Sequence, residues 1–152
     1  MAGLLHHEDL EVGRDYPLGS RRVTAEDIVG FASVYDPQPF HLDDAAARDT
    51  ILGGLAASGW HTAGVMMRLY VDGLLARTAS MGSPGIEALR WRRPVRPGDT
   101  LTGTVRIRDK RVSRSRPGMG ILAVTVSLDN QQAETVLEMR ATLLCATRAG
   151  AR

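Results

Sequence analysis

Four stretches between Leu89 and Cys145 alternate apolar and polar residues with a period of two, and this restricts the fold more than any other feature. Leu89 and Trp91 alternate with Arg90 and Arg92. Leu101, Gly103, Val105 and Ile107 alternate with Thr102, Thr104, Arg106 and Arg108. Leu122, Val124, Val126 and Leu128 form the third set, and Leu137, Met139, Ala141, Leu143 and Cys145 the fourth. Turn chemistry separates them at Pro94 and Pro97-Gly98-Asp99, at Pro117-Gly118 and at Asp129-Asn130. Strands joined in succession by turns make an antiparallel meander with one apolar face, and on this pattern Trp91 belongs to the core. Such a face needs a cover. From Trp60 to about Ala76, Ala63, Met67, Tyr70, Val71 and Leu74 fall on one helical face, which Val65, Met66, Leu69 and Leu75 widen. A helix this broadly apolar, starting near Ser58 or Gly59, is the expected cover, which gives an α+β class.

The N-terminal part supplies smaller elements. Residues 1–13 show no periodicity and are expected to form a flexible arm, with residues 14–148 as a single domain. Tyr16 to Val23 fits a strand. Thr24-Ala25-Glu26-Asp27 has the form of a capping box, and Ile28, Phe31, Ala32 and Tyr35 follow at helical spacing. Asp36-Pro37 ends that helix. In Tyr35-Asp36-Pro37-Gln38-Pro39-Phe40-His41 the prolines bias the preceding Asp36 and Gln38 to extended geometry, predicting a stiff, non-helical loop that presents an acid and an imidazole. Leu42 to Asp49 reads as a short helix with Asp43 and Asp44 favourable at its start.

Composition removes several function classes. No apolar run approaches the roughly 20 residues that span a bilayer, and Met1 to Asp9 lacks the layout of a signal peptide. One cysteine, Cys145, cannot close an internal disulfide, which fits a cytoplasmic protein. The net charge is +2, with arginines grouped at 90, 92, 93 and 96 and again from 106 to 116. Aromatic residues, at 5%, do not interleave with the second group, so no nucleic-acid partner is expected, whereas a small phosphorylated ligand needs only a few of these side chains. His6-His7-Glu8-Asp9 lacks the spacing of a zinc site, so no metal is expected.

The residues themselves leave two readings open at each candidate position. Asp36 and His41 suit acid–base work, but both residue types also cap turns and helices. Gly59 is either a plain helix entry or an amide donor at a helix N-terminus. His61 is either a pocket residue or a packed one. Arg92, Arg93 and Arg96 either meet phosphates or coat a solvated strand face.

Three motifs taken together carry a resemblance. Asp36-Pro37-Gln38-Pro39-Phe40-His41, Ala57-Ser58-Gly59-Trp60-His61-Thr62 and Trp91-Arg92-Arg93-Pro94-Val95-Arg96-Pro97-Gly98-Asp99 occur in the order and approximate spacing of the MaoC-like dehydratases, relatives of the (R)-specific enoyl-CoA hydratases. The resemblance runs from about residue 9 to 147. It implies a hot-dog fold, an antiparallel sheet wrapped around a central helix at about residues 59–77, in subunits that pair as homodimers or larger homo-oligomers. It implies reversible hydration of a 2-enoyl-CoA, or dehydration of an (R)-3-hydroxyacyl-CoA, without metal or redox cofactor, CoA being part of the substrate. Asp36 and His41 match the family's acid and imidazole, and Gly59 its oxyanion donor. Gln38, Phe40, Ser58, Trp60, Arg92 and Arg93 are the expected substrate contacts. Gln38 stands where asparagine is usual, and Met67 stands where the best-known hydratases have a serine that supports the aspartate. A thioesterase on the same scaffold and a non-catalytic acyl-thioester-binding subunit are the alternatives.

Overall fold

A computed structural model describes residues 3–150. Its backbone is one six-stranded antiparallel sheet in the order β1-β4-β5-β6-β2, with β3 also paired to β6. The strands are β1 (Asp15–Arg22), β2 (Ser80–Gly82), β3 (Ile86–Trp91), β4 (Thr100–Val112), β5 (Met119–Asp129) and β6 (Thr135–Ala146). Four helices, α1 (Ala25–Tyr35), α2 (Pro39–Leu42), α3 (Asp44–Arg48) and α4 (Gly59–Gly73), lie between β1 and β2.

The period-two residues set which face is buried. Leu101, Val105, Ile107, Leu122, Val124, Val126, Leu128, Leu137, Met139, Ala141, Leu143 and Cys145 are all buried on one side of β4, β5 and β6. Each Val, Leu, Ile or Met side chain among them contributes about 1.5–3 kcal/mol by leaving water. α4 is the cover: Val65, Met66, Leu69 and Tyr70 are buried with the sheet residues in one core, and the helix meets β1, β4 and β5. At its last residue, Gly73, a Cβ would stand 2.5 Å from the Leu18 Cα of β1, so only glycine permits this approach. This is the hot-dog arrangement, a sheet wrapped around one long helix.

Several expectations are corrected. The sheet has two strands more than the meander, because β1 joins its far edge beside β4 and Ser80–Gly82 adds a short pairing to β6. Residues 5–10 are no loose arm. Leu5 N–H donates to Arg77 O and Leu5 O accepts from Ala79 N–H, both at 2.8 Å, and Leu10 is fully buried. Lys110 Nζ clamps the same segment by donating to the carbonyls of His7 at 3.1 Å and Leu10 at 2.7 Å. Met1 and Ala2 lie outside the described residues.

On α4 the buried face runs through Thr62, Val65, Met66, Leu69 and Tyr70, while Met67 and Val71, expected inside, are exposed with Trp60. Tyr35, also expected inside, is exposed. Trp91 is likewise not core. It ends an edge strand and packs only against the head of α4, at Gly59 and Trp60, so 45% of its surface is accessible.

Candidate active site

α1 begins with the capping box read from the sequence: Thr24 Oγ1 accepts Asp27 N–H at 3.1 Å, and Asp27 Oδ2 accepts Thr24 N–H at 3.0 Å. The helix ends at Asp36, whose N–H still donates to Ala32 O at 2.9 Å. Gln38 is extended, as a residue before proline should be, but Asp36 takes φ −150° and ψ 66°. The loop is also not entirely non-helical. Pro39 opens the single turn α2, with His41 in it, because proline at a first helical position forfeits only an amide that has no helical partner. Asp43 then caps α3 by accepting Ala46 N–H at 2.8 Å.

This path brings Asp36 Oδ2 to 3.4 Å from His41 Nε2. Both side chains are mostly shielded, with 19% and 9% of their surfaces accessible. His41 Nδ1 lies 2.7 Å from Ala56 O, and since a carbonyl only accepts, Nδ1 carries the proton and donates it. Nε2 is therefore the nitrogen free to exchange a proton beside the carboxylate. Asp36 is fixed on both oxygens: Gln38 Nε2 donates to Oδ1 at 2.6 Å and Ser58 Oγ to Oδ2 at 2.7 Å. Gln38, then Ser58, hold the Asp36 carboxyl below its ordinary value; burial opposes them and the His41 imidazole adds to them.

Asp36 and His41 stand in the wall of a cavity of about 550 Å³ that Phe40, Ala57, Gly59, Trp60, Thr62 and Trp91 also line. Gly59 is the first residue of α4, so its N–H has no acceptor within the helix and adds to the positive end of the helix dipole. Trp60 and Trp91 meet edge to face at 5.3 Å, and Phe40 meets the His41 ring edge to face at 4.6 Å. Arg92 and Arg93 reach the same cavity, each paired to an acid, Glu138 at 3.4 Å and Glu134 at 3.0 Å.

Of the expected site residues, the structure gathers Asp36, His41, Gly59, Phe40, Trp60, Arg92 and Arg93 around one cavity. Gln38 and Ser58 do not line it; they hold Asp36 instead. Ser58 supplies the hydroxyl that Met67 lacks, and Met67 does not line the cavity. Arg96 is committed elsewhere: its guanidinium donates to the carbonyls of Leu52, Gly54 (2.9 Å) and Leu55 (3.4 Å), holding the loop before α4. His61 stacks on Phe31 at 5.0 Å, outside the cavity. Burial, then Glu8 and Asp9, push the Cys145 thiol up to about 11, so it is no nucleophile. Trp91 is the wall residue that alternation assigned to the core. Its place beside the Arg92-Arg93-Pro94 motif was the available signal.

Among the described residues no group of side chains forms a metal site and no helix is long and apolar enough to cross a membrane. The family model described as MaoC like domain matches residues 9–130. The crystal structure of the MaoC-like dehydratase from Rhodospirillum rubrum superposes with a TM-score of 0.89 at 42% identity, over 95% of this chain and 98% of that one. The (R)-hydratase from A. caviae involved in PHA biosynthesis gives a TM-score of 0.68 at 25% identity, over 90% and 97%. YdeM of Bacillus subtilis (strain 168), an uncharacterised protein, is 28% identical over 131 residues, 86% of this chain and 92% of its own.

Proposed function

The chain belongs to the MaoC-like domain family, and on that premise we propose that it is a hydro-lyase that adds water to a 2-enoyl-CoA, or removes it from an (R)-3-hydroxyacyl-CoA, with Asp36 and His41 as its acid–base pair. The observation that carries this reading is the 3.4 Å approach of Asp36 Oδ2 and His41 Nε2 in the wall of a cavity that also holds the first amide of α4. In the hydration direction the pair takes a proton from a bound water, and the hydroxide oxygen bonds to C3 as the double bond's electrons move toward the thioester. Gly59 N–H stabilises the enolate oxygen, and the proton held by the pair passes to C2. Every atom of water ends in the product, and dehydration reverses each step. The chain's own groups supply the whole sequence, so the reading calls for neither metal nor redox cofactor.

Phe40, Trp60 and Trp91 suit the acyl chain, and Arg92 and Arg93 suit CoA phosphates once they exchange their carboxylate partners. A second copy of the chain is the proposed partner. The edge strand β3, with Ile86 exposed, and the exposed Trp60, Met67 and Val71 of α4 are the apolar surface it would cover. A CoA substrate suits a cytoplasmic location.

The test follows loss of enoyl absorbance for a panel of enoyl-CoAs with the wild type, Asp36→Asn and His41→Ala. Falls of roughly 10²–10⁴-fold in both variants are expected, and undiminished turnover would remove the pair from the chemistry. Free thiol released from a saturated acyl-CoA would favour a thioesterase instead.

A further inference from the structure

The carboxylate of Asp36 is gripped from two separate elements by side chains that do not touch the cavity. Gln38 reaches Oδ1 from the turn between α1 and α2 at 2.6 Å, and Ser58 reaches Oδ2 from the start of α4 at 2.7 Å. Gln38 is itself constrained, with a proline on each side and its N–H donated to Asp36 O at 2.8 Å. Ser58 is fully buried and belongs to the first turn of α4: its Oγ accepts Trp60 N–H at 3.3 Å, and its carbonyl accepts Thr62 N–H at 3.1 Å.

A carboxylate held by one donor can turn about its Cβ–Cγ bond. Held on each oxygen by donors of different elements, it cannot turn without losing a charge-assisted hydrogen bond, a stronger bond than one between neutral groups. Ser58 also immediately precedes Gly59, so one residue links the orientation of the acid to the position of the helix amide.

We propose that Gln38 and Ser58 are positioning residues, not substrate contacts: together they fix the Asp36 carboxylate against His41 Nε2, and Ser58 sets the distance between that pair and Gly59. In a substrate the thioester oxygen, C2 and C3 are covalently spaced, so the pair and the amide must keep matching spacing for one step to use both. The inference rests on the hydro-lyase reading for its kinetic consequence and on the two hydrogen bonds for the rest. The other titratable or charged groups at this cavity are His41 on α2, beside Asp36, and Arg92 and Arg93 after β3, paired to Glu138 and Glu134.

The experiment follows the carboxyl carbon of Asp36 by NMR as a function of pH in the wild type, Gln38→Met and Ser58→Ala, beside kcat and KM for an enoyl-CoA. Asp36 is expected to titrate at higher pH in each variant, with kcat falling roughly tenfold to a hundredfold and KM within about twofold. Ser58→Ala also loses the N-cap of α4. Gln38→Met changes an exposed side chain and keeps the test valid if Ser58→Ala fails to fold. An Asp36 titration unmoved in Gln38→Met would overturn the proposal, as would a rise in KM alone, the signature of lost substrate contacts. A moved titration in a protein that turns over no enoyl-CoA would uphold the clamp and sink the hydro-lyase reading. Turnover with an unmoved titration would do the reverse.

Discussion

The indole of Trp91 occupies the space where a side chain on Gly59 would be. Its Nε1–H donates to Gly59 O at 2.8 Å, and a Cβ on Gly59 would stand 2.5 Å from Trp91 Cε2. Glycine at the head of α4 is thus required by an aromatic ring from an edge strand.

Gly59→Ala is therefore expected to destabilise the protein by about 1–3 kcal/mol through overpacking. In the Trp91→Ala background, where the ring is gone, the same change should cost much less. Urea unfolding of the two single variants and the double variant gives the coupling, and additive effects would contradict the contact.

Arg96→Met should lower stability by about 2 kcal/mol, because one guanidinium binds the carbonyls of Leu52, Gly54 and Leu55. Leu52 and its neighbours Thr50 and Ile51 line the cavity, so the KM for an enoyl-CoA should rise as well. Denaturant unfolding and steady-state kinetics measure the two effects. An unchanged midpoint would show that the loop holds itself.

His7 gives a pH dependence of stability. Burial first, then Lys110, lower its pKa from the ordinary 6.5, with Glu8 opposing, so the unfolded chain takes up this proton before the folded one. Its contribution is complete above about pH 6.5 and is lost as pH falls from there toward the folded value. His7→Phe should flatten stability across that window. A wild-type slope kept in the variant would assign the loss to other groups.

Met67→Glu together with Val71→Glu should shift the protein toward monomer in light scattering, since both residues lie on the exposed apolar stripe of α4. Both are absent from the residues lining the cavity of one subunit. An oligomer that survives both charges would place the second copy elsewhere.

Much of the fold could be read from local pattern. Alternation located β4, β5 and β6, a capping box located the start of α1, and the broad apolar segment located α4. β2 was missed because three residues are too short for a period to show. Alternation misjudged Trp91 because it shows which face of a strand points inward but not whether that face is filled: the indole meets only the head of α4 and also lines the cavity. Helical spacing misjudged Met67 and Val71 for a related reason: it groups residues into faces but does not say which one meets the sheet.

For the candidate site, the residue types and their order are legible in the chain: an acid and an imidazole around two prolines, a serine and a glycine at a helix start, and two arginines beside a tryptophan. Their partners are set by packing. Asp36 and Ser58 are 22 positions apart in the chain, and Gly59 and Trp91 are 32 apart. Hydrogen bonds over such separations are set by where α1, α4 and β3 pack, and that packing follows from burying the apolar faces of the helix and sheet, not from the polar residues that form the site.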